Sequence, residues 1–202
     1  MTYSAIILSG GKSTRFKVDK GSYIIFDKPL ISYTIEKIKL LVDEILIITN
    51  QDKVSRYSKY FPSIRILPDE YDFRAVLSGA TTGFKHVRSD FSFLLPCDTP
   101  LISTKLMSLL KLLSRDYNAI IPRWPSGYIE PLQAIYRSKE AYKASLESIE
   151  EGQLKMRHMI SKMSNVLYLS TLIIQKVDSK LQTFTNINTI EDFKRIKSFL
   201  KD

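Results

Sequence analysis

Glycine, serine and basic residues lie close together near the start of the chain, in a segment whose chemistry suits phosphate. The segment is Leu8, Ser9, Gly10, Gly11, Lys12, Ser13, Thr14 and Arg15, and Lys20 follows it. Backbone N–H groups can approach a phosphate closely where glycine leaves no Cβ in the way. Lysine adds a point charge and arginine a forked contact, so Lys12, Arg15 and Lys20 could bind a triphosphate. The alternative is a glycine-rich turn flanked by solvated lysines.

The spacing of this segment excludes two common nucleotide-binding loops. A Walker A loop needs its Gly-Lys-Ser end to close a frame that begins with glycine, and no such frame is present. The G-x-G-x-x-G spacing of dinucleotide-binding folds is absent as well. If the segment binds phosphate, it therefore belongs to neither of these two loop types.

A carboxylate, Asp98, follows the apolar run Phe91–Leu95, which is typical of a buried strand. Ligands of open α/β sheets bind at the carboxyl ends of the strands. Magnesium takes a few hard oxygen ligands together with the phosphates of its substrate, so a single aspartate can be enough to hold it. Asp98 is therefore a candidate magnesium ligand, and an Asx-turn or a helix N-cap before Pro100 is the alternative.

The elements that must position these residues alternate between strands and helices. Short apolar runs predict strands at Ser4–Leu8, Glu44–Thr49, Ser63–Leu67, Phe91–Leu95, Ala119–Pro122 and Glu130–Tyr136. Helical spacing predicts helices at Leu30–Leu41, Ala75–Val87, Ser103–Leu113 and Ser138–Ile149. A C-terminal helix with the apolar residues Phe193, Ile196 and Phe199 is predicted after a cap formed by Thr189 and Asp192.

This alternation predicts an α/β fold, a Rossmann-like three-layer α/β/α arrangement with a mostly parallel sheet covered on both faces. Right-handed crossovers would bring the ends of the first and fourth predicted strands near one another. We expect one domain over residues 1–202, with a nucleotide-binding half at about 1–100 and an acceptor-binding half at about 101–202.

Composition bounds the possible partners and location of the chain. Of its 202 residues, 44% are hydrophobic and 25% charged, which is ordinary for a globular protein. The net charge of +9 favours anionic partners, although the lysines are spread along the chain and could simply solvate its surface. No segment is long enough to span a bilayer. Cys97 is the only cysteine, which excludes an internal disulfide and points to the cytoplasm.

Cys97 itself is expected to be a small buried side chain rather than a nucleophile. Both histidines, His86 and His158, lie in predicted helices, and nothing in the pattern suggests a Cys–His pair.

The loop resembles the signature segment of the sugar-nucleotide and cofactor nucleotidyltransferases, and it is most similar to that of the molybdenum cofactor guanylyltransferases. The resemblance rests on L-x-G-G-K-S-x-R followed by D-K, which here is Asp19-Lys20. The family has a glycine soon after the arginine, and Lys17 stands in its place. The segment Pro96–Pro100 reads P-C-D-x-P, which looks like the family's metal-binding strand end.

Further positions are similar to the nucleoside-binding residues of that family. Asp69 follows the third predicted strand, where the family has an acidic residue near the nucleoside; a turn aspartate after Pro68 is the alternative. Asn50, at the end of the second strand, is another candidate for a nucleoside contact. The segment at 74–79 stands where the family has G-P-L-x-G, of which only Leu77 and Gly79 are kept.

Two segments resemble the acceptor side of the family. Glu130–Tyr136 is similar to its E-P-L-x-A-x-Y strand, which makes Glu130 and Pro131 acceptor-binding candidates. Asn186–Thr189 matches its N-x-N-T segment. Asparagines two apart on an extended segment face the same way, so Asn186 and Asn188 could contact a phosphate or a metal-bound water. A turn that enters the C-terminal helix is the alternative.

The resemblance implies a magnesium-dependent enzyme that transfers GMP from GTP to the molybdenum–molybdopterin cofactor. Asp98 would hold Mg²⁺ while Arg15 and Lys20 counter the charge of the triphosphate as pyrophosphate leaves. The acceptor is a phosphate monoester, which is already anionic, so no general base is needed. Cofactor carriers or molybdoenzymes are the expected protein partners.

Other functions stay open at the level of the sequence. A guanylyltransferase for cobinamide phosphate and a cytidylyltransferase for the same pterin share this kind of loop, although Gly10-Gly11 argues against the L-A-A-G of the cytidylyltransferases. A basic nucleic-acid-binding protein is disfavoured, because the charge is dispersed and the aromatic residues fall mostly on predicted core faces. A nucleotide-binding homologue without catalysis is the remaining alternative.

Overall fold

Seven strands form one sheet in the computed structural model, which describes residues 1–10, 19–71, 73, 75–187, 189 and 191–192. They are β1 (Tyr3–Ser9), β4 (Glu44–Thr49), β5 (Arg65–Pro68), β6 (Phe91–Pro96), β7 (Ala119–Arg123), β8 (Ala134–Arg137) and β9 (Val166–Ser170). Two short strands, β2 (Ile24–Ile25) and β3 (Lys28–Pro29), pair with each other as a separate hairpin.

The sheet has the order β5-β4-β1-β6-β8-β7-β9. The pairs β5–β4, β4–β1, β1–β6 and β7–β9 are parallel, whereas β8 is antiparallel to both of its neighbours. A mostly parallel sheet and the adjacency of the first and fourth predicted strands are thereby confirmed. The carboxyl ends of β5, β4, β1, β6 and β7 all point the same way, and we call this side of the sheet the carboxyl edge.

Helices cover both faces of the sheet. They are α1 (Leu30–Ile38), α2 (Val54–Tyr60), α3 (Val76–His86), α4 (Thr104–Leu113), α5 (Ser138–Glu150), α6 (Met156–Lys162) and α7 (Thr171–Ile174), with single 3₁₀ turns at Gln51–Lys53 and Gln182–Phe184. Neighbouring strand residues point to opposite faces, so Ile7 joins one buried apolar cluster and Ile6 the other. This is the predicted three-layer α/β/α arrangement. No helix within the described residues is long and apolar enough to cross a membrane.

The structure corrects the predicted starts of two strands and adds elements that were not predicted. The strand predicted over Ser63–Leu67 begins only at Arg65. The strand predicted over Glu130–Tyr136 begins only at Ala134, because Pro131 has no N–H to donate to a neighbouring strand. The carbonyl of Pro131 instead accepts the hydroxyl of Tyr136 at 2.7 Å. Helix α1 ends at Ile38 rather than at Leu41, and α2, α6, α7 and β9 were not predicted.

The predicted cap of the C-terminal helix is present as two reciprocal hydrogen bonds. The backbone N–H of Thr189 donates to Asp192 Oδ2 at 2.9 Å, and that of Asp192 donates to Thr189 Oγ1 at 3.1 Å. The residues predicted for the apolar face of this helix, Phe193, Ile196 and Phe199, lie outside the described part of the chain.

Candidate active site

Lys20 and Asp98 form an ion pair at the carboxyl edge. Lys20 Nζ lies 3.1 Å from Asp98 Oδ2, and the two side chains are 21% and 19% exposed. The backbone N–H of Cys97 donates to the carbonyl of Leu8 at 3.0 Å, so the ladder between β1 and β6 continues to the residue before Asp98. Within the described residues, the Asp98 carboxylate accepts a hydrogen bond from the basic side chain of Lys20, whereas the Asx-turn alternative requires a backbone N–H donor.

The segment that carries Asn186 reaches the same strand end. The backbone N–H of Ile187 donates to the carbonyl of Asp98 at 2.9 Å, and the Ile187 side chain is buried. Asn186, directly before it, is exposed. The structure thus brings Asn186 beside Asp98 across the fold, whereas Asn188 lies outside the described residues.

A buried polar cluster fixes the end of the loop from which Lys20 projects. Asp19, whose side chain is only 7% exposed, accepts from Lys53 Nζ at 2.7 Å, from the Tyr57 hydroxyl at 2.7 Å and from the Ser22 N–H at 3.2 Å. The Tyr57 hydroxyl also lies 2.5 Å from Ser9 Oγ. We call these five residues the Asp19 cluster.

The Asp19 cluster favours the ionised form of its carboxylate. Burial by itself would raise the pKa of Asp19, but the hydrogen bonds from Lys53, Tyr57 and Ser22 and the charge of Lys53 outweigh it, and the pKa lies below its usual value. Lys53 and Tyr57 were missed by sequence reasoning, since the turn Gln51–Lys53 and helix α2 carry no apolar stripe. Tyr57 is the only residue of α2 that is buried.

Gly21 is the residue that lets the chain pass this cluster. A Cβ on Gly21 would collide with the hydroxyl groups of Tyr57 and Ser9, and no larger residue fits unless they move. The position of a glycine directly after Asp19-Lys20 is the signal in the sequence that could have revealed this contact.

Two predicted residues have side chains turned into the protein. The Ser9 hydroxyl is engaged with Tyr57, and Ser9 is only 2% exposed, so its side chain belongs to the Asp19 cluster. Burial, with the charge of Asp98 beside it, raises the pKa of the Cys97 thiol to about 12. At neutral pH this thiol is protonated, as expected for a residue that is not a nucleophile.

The nucleoside-binding candidates lie at the ends of β1, β4 and β5. A Cβ on Gly10 would be 3.5 Å from Asn50 Oδ1, which places these two residues side by side. Asp69 Oδ1 accepts from the N–H of Tyr71 at 3.2 Å and from Thr82 Oγ1 at 3.0 Å. Oδ1 therefore makes the hydrogen bond that the turn-aspartate alternative requires. Oδ2 lies toward Gly79, 3.6 Å from the position that a Cβ on that glycine would take.

The acceptor-side candidates lie beyond β6 on the other side of Asp98. Glu130 Oε1 accepts from the indole N–H of Trp124 at 2.7 Å. Burial raises the pKa of Glu130, and the bond from Trp124 opposes this only in part. Pro131 follows, with its carbonyl held by Tyr136. The predicted triphosphate-binding residues Gly11, Lys12, Ser13 and Arg15 lie outside the described residues.

Given the described residues, a magnesium ion at Asp98 would need further ligands from its substrate and from water. Among the described residues, no three histidine, cysteine, aspartate or glutamate side chains are grouped closely enough to hold a metal. One partly exposed carboxylate fits Mg²⁺, because this ion commonly takes one or two carboxylates and completes its shell with phosphates and water. The Asp98 carboxylate would then be shared between the ion and Lys20.

Comparisons with known proteins identify the family to which the sequence is similar. Residues 5–166 match the family model of the MobA-like NTP transferase domain. A probable molybdenum cofactor guanylyltransferase from Thermococcus sibiricus is 30% identical over 201 residues, covering 97% of this chain and 98% of the relative. Another from Methanosarcina mazei is 28% identical over 208 residues, covering 98% and 92%.

Solved structures show the same fold. Molybdopterin-guanine dinucleotide biosynthesis protein A from Archaeoglobus fulgidus superposes with a TM-score of 0.80 at 22% identity, covering 98% of each chain. A 4-diphosphocytidyl-2C-methyl-D-erythritol synthase from Anaerococcus prevotii superposes with a TM-score of 0.73 at 13% identity, covering 100% of this chain and 96% of its own. The predicted nucleotidyltransferase type of α/β fold is confirmed.

Proposed function

The chain belongs to the MobA-like NTP transferase domain family, and from this we propose that it transfers GMP from GTP to the molybdenum–molybdopterin cofactor. A phosphate oxygen of the pterin would attack the α-phosphorus of GTP. One P–O bond forms there, the bond from the α-phosphorus to the oxygen bridging to the β-phosphate breaks, and pyrophosphate leaves. The names of the full-length relatives support this reaction.

The observation that carries the proposal is the Lys20–Asp98 pair at the carboxyl edge. A carboxylate that can hold a divalent ion and an ammonium that can counter phosphate charge meet at the strand end where such folds bind ligands. Both side chains are partly buried, which strengthens their electrostatic interactions relative to those on an open surface.

The nucleotide would bind on the β1–β4–β5 side of this pair. Gly10 leaves its backbone accessible there, and Asn50 and Asp69 provide polar groups within reach of a base or a ribose. The resemblance assigns the triphosphate to Gly11, Lys12, Ser13 and Arg15, and this assignment is part of the proposal.

Catalysis would depend on alignment and charge neutralisation. When bound, Mg²⁺ would supply charge neutralisation on the triphosphate, and Asp98 is the residue that would hold it. Lys20, kept in place by the neighbouring Asp19 cluster, would stabilise the charge that develops on the leaving pyrophosphate. The acceptor phosphate is already anionic at neutral pH, so the reaction needs no general base.

The acceptor would bind on the β8 side of Asp98, against Glu130, Pro131, Asn186 and Asn188. The bond between Ile187 and Asp98 supports this placement, because it joins the asparagine segment to the strand end. We include in the proposal a cytoplasmic setting, which the single cysteine supports, and delivery of the product to a cofactor carrier or a molybdoenzyme.

The direct test supplies the purified chain with molybdenum-loaded or metal-free molybdopterin, Mg²⁺ and one nucleotide at a time. We expect GTP, and neither CTP nor ATP, to give a dinucleotide cofactor and an equimolar amount of pyrophosphate. Transfer from CTP would instead identify a cytidylyltransferase. Transfer of GMP to cobinamide phosphate but not to molybdopterin would identify the cobalamin-pathway enzyme, and nucleotide binding without transfer would indicate a homologue without catalysis.

A further inference from the structure

A tight hairpin leaves the carboxyl end of β7 and returns as Glu130. The backbone N–H of Trp124 donates to the carbonyl of Tyr128 at 2.8 Å, and that of Gly127 donates to the carbonyl of Trp124 at 2.9 Å. Gly127 has a φ of +85°, which glycine adopts without strain. At the base of the hairpin, the N–H of Glu130 donates to the carbonyl of Pro122 at 2.9 Å. The hairpin therefore fixes the backbone of Glu130.

The Glu130 side chain is fixed as well. Its Oε1 accepts from Trp124 Nε1 at 2.7 Å, and the Trp124 ring packs edge-on against Phe184 with the ring centres 5.7 Å apart. Phe184 stands two residues before Asn186, and the next residue, Ile187, is bonded to Asp98. Glu130 is thus linked to Asp98 through Trp124, Phe184 and the chain segment that leads from Phe184 to Ile187.

Glu130 also has unused capacity to accept hydrogen bonds. An ionised carboxylate has two acceptor oxygens with about four lone pairs. Within the described residues, Glu130 takes part in no salt bridge, and its side chain accepts a hydrogen bond from the Trp124 indole. A half-buried carboxylate held by one neutral donor suits a ligand that presents further N–H groups.

We propose that Glu130, positioned by Trp124, binds the 2-amino-4-oxo ring edge of the pterin acceptor. That edge presents a ring N–H and an exocyclic amino group side by side, and both are donors. A carboxylate is an acceptor only, with two oxygens at a matching spacing, so the two edges are complementary. This inference rests on the proposed function, which brings a pterin to this side of Asp98.

The guanine base of GTP presents the same pair of donors, but it would bind elsewhere. Glu130 precedes β8, whereas the nucleoside candidates Asn50 and Asp69 follow β4 and β5. In the sheet order β5-β4-β1-β6-β8, the strand that carries Asp98 lies between the two sets. The position of Glu130 therefore assigns it to the acceptor, and an experiment can separate the two ring systems.

The experiment compares two fluorescent probes, 6-hydroxymethylpterin phosphate and 6-hydroxymethyllumazine phosphate, in which a carbonyl replaces the 2-amino group. Each is titrated into the full chain with Mg²⁺ and a non-hydrolysable GTP analogue. We expect wild type to bind the pterin roughly ten-fold more tightly than the lumazine, the size of effect of one hydrogen bond to a charged group. Glu130→Gln should bring this ratio to about one, because an amide replaces one acceptor oxygen with a donor.

Two further variants separate recognition from structure. Glu130→Asp keeps the charge on a shorter side chain and should recover part of the preference for the pterin. Trp124→Phe keeps a ring against Phe184 but removes the indole N–H, so we expect a preference between those of wild type and Glu130→Gln. Glu140→Gln, an exposed carboxylate on α5, is the matched control and should leave the ratio unchanged.

The inference is overturned if wild type shows no preference between the probes, or if Glu130→Gln keeps the wild-type ratio. A parallel titration compares GTP with ITP, which lacks the 2-amino group of guanine. If Glu130→Gln alters that ratio instead, the carboxylate binds guanine and the pterin assignment is wrong. Dinucleotide formation without any preference for the 2-amino group would overturn only this inference. A preserved preference without dinucleotide formation would overturn only the proposed transfer.

Discussion

The backbone N–H of Ile187 donates to the backbone carbonyl of Asp98 across 2.9 Å, joining two segments that lie 89 residues apart in the sequence numbering. The partner of Asp98 on its other side is Lys20, at 3.1 Å. The candidate metal ligand is therefore held between a loop from the first half of the chain and a segment near its C-terminal end. Chemistry at Asp98 should depend on both.

Replacing Asp98 with asparagine should abolish turnover and leave the fold intact. The amide keeps the size of the side chain but removes the charge that would hold Mg²⁺ and pair with Lys20. We expect kcat for pyrophosphate release to fall roughly 100-fold or more. The loss of folding free energy should be only about 0–1 kcal/mol, because the pair is partly exposed.

Asp116→Asn is a suitable control for this measurement, because Asp116 is an exposed aspartate far along the chain from the loop. It should match wild type in rate and in urea denaturation. A near-normal rate in Asp98→Asn would show that the metal binds elsewhere.

Asp19 should stabilise the fold in its ionised form. Its pKa is lowered in the folded protein, so its contribution is present above the usual aspartate pKa and is lost as the pH falls through the lower, folded-state value. We expect Asp19→Asn to lose about 2 kcal/mol of unfolding free energy at neutral pH, since the hydrogen bonds from Lys53 and Tyr57 weaken.

Urea denaturation at several pH values tests this. The gap in unfolding free energy between wild type and Asp19→Asn should narrow as the pH falls below the usual aspartate range, because the wild-type carboxylate then becomes neutral as well. A gap that stays constant with pH would mean that the Asp19 charge does not stabilise the fold.

The sequence predicts the elements that bury a continuous apolar run or stripe. Strand β4 has the predicted bounds, and α3, α4 and α5 differ from theirs by a residue at one or both ends. Helix α2 was missed because it buries only Tyr57, and β9 because it is an edge strand of mixed exposure. A local sequence pattern does not reveal an element whose formation depends on tertiary contacts.

The candidate site, like the fold, was predicted from the sequence only in part. The types and order of the residues near Lys20 and Asp98 are visible in the sequence, and the structure brings these two together. Lys53 and Tyr57 contact Asp19 from more than 30 positions away, and Trp124 reaches Glu130 around a turn. Lys53, Tyr57 and Trp124 belong to no sequence motif, and nothing in their local sequence indicates a role in the site. These residues, which position Asp19 and Glu130, were therefore missed.

Replacing Gly21 with alanine should disturb both stability and activity. The added Cβ would collide with the hydroxyl groups of Tyr57 and Ser9, at a cost of about 1–3 kcal/mol for overpacking. Because Gly21 follows Lys20, we also expect a lower kcat. Thermal denaturation and pyrophosphate release measure the two effects.

The combined variant Gly21→Ala/Tyr57→Phe tests the cause. Removing the Tyr57 hydroxyl relieves one of the two collisions, so the double variant should be more stable than the sum of the two single changes implies. Strict additivity would show that the collision with Tyr57 is not the cause of the destabilisation. Gly79→Ala is a control for stability, because its Cβ would meet neighbours only at ordinary distances of 3.4 Å or more.

The stability linked to Glu130 should depend on pH in the opposite direction to that linked to Asp19. Its pKa is raised by burial, so the stability linked to it is fully present below the usual glutamate pKa and is lost as the pH rises through the folded-state value. At neutral pH the ionised side chain is costly to bury, and Glu130→Gln should have a melting temperature equal to or above that of wild type. In acid the melting temperatures of the two proteins should converge, because the wild-type side chain is then neutral.

Thermal denaturation across this pH range checks both statements. A variant that is less stable than wild type only at neutral pH would contradict the direction of the pKa shift. A stabilised variant that binds the pterin less well would show that Glu130 is kept for recognition at a cost in stability.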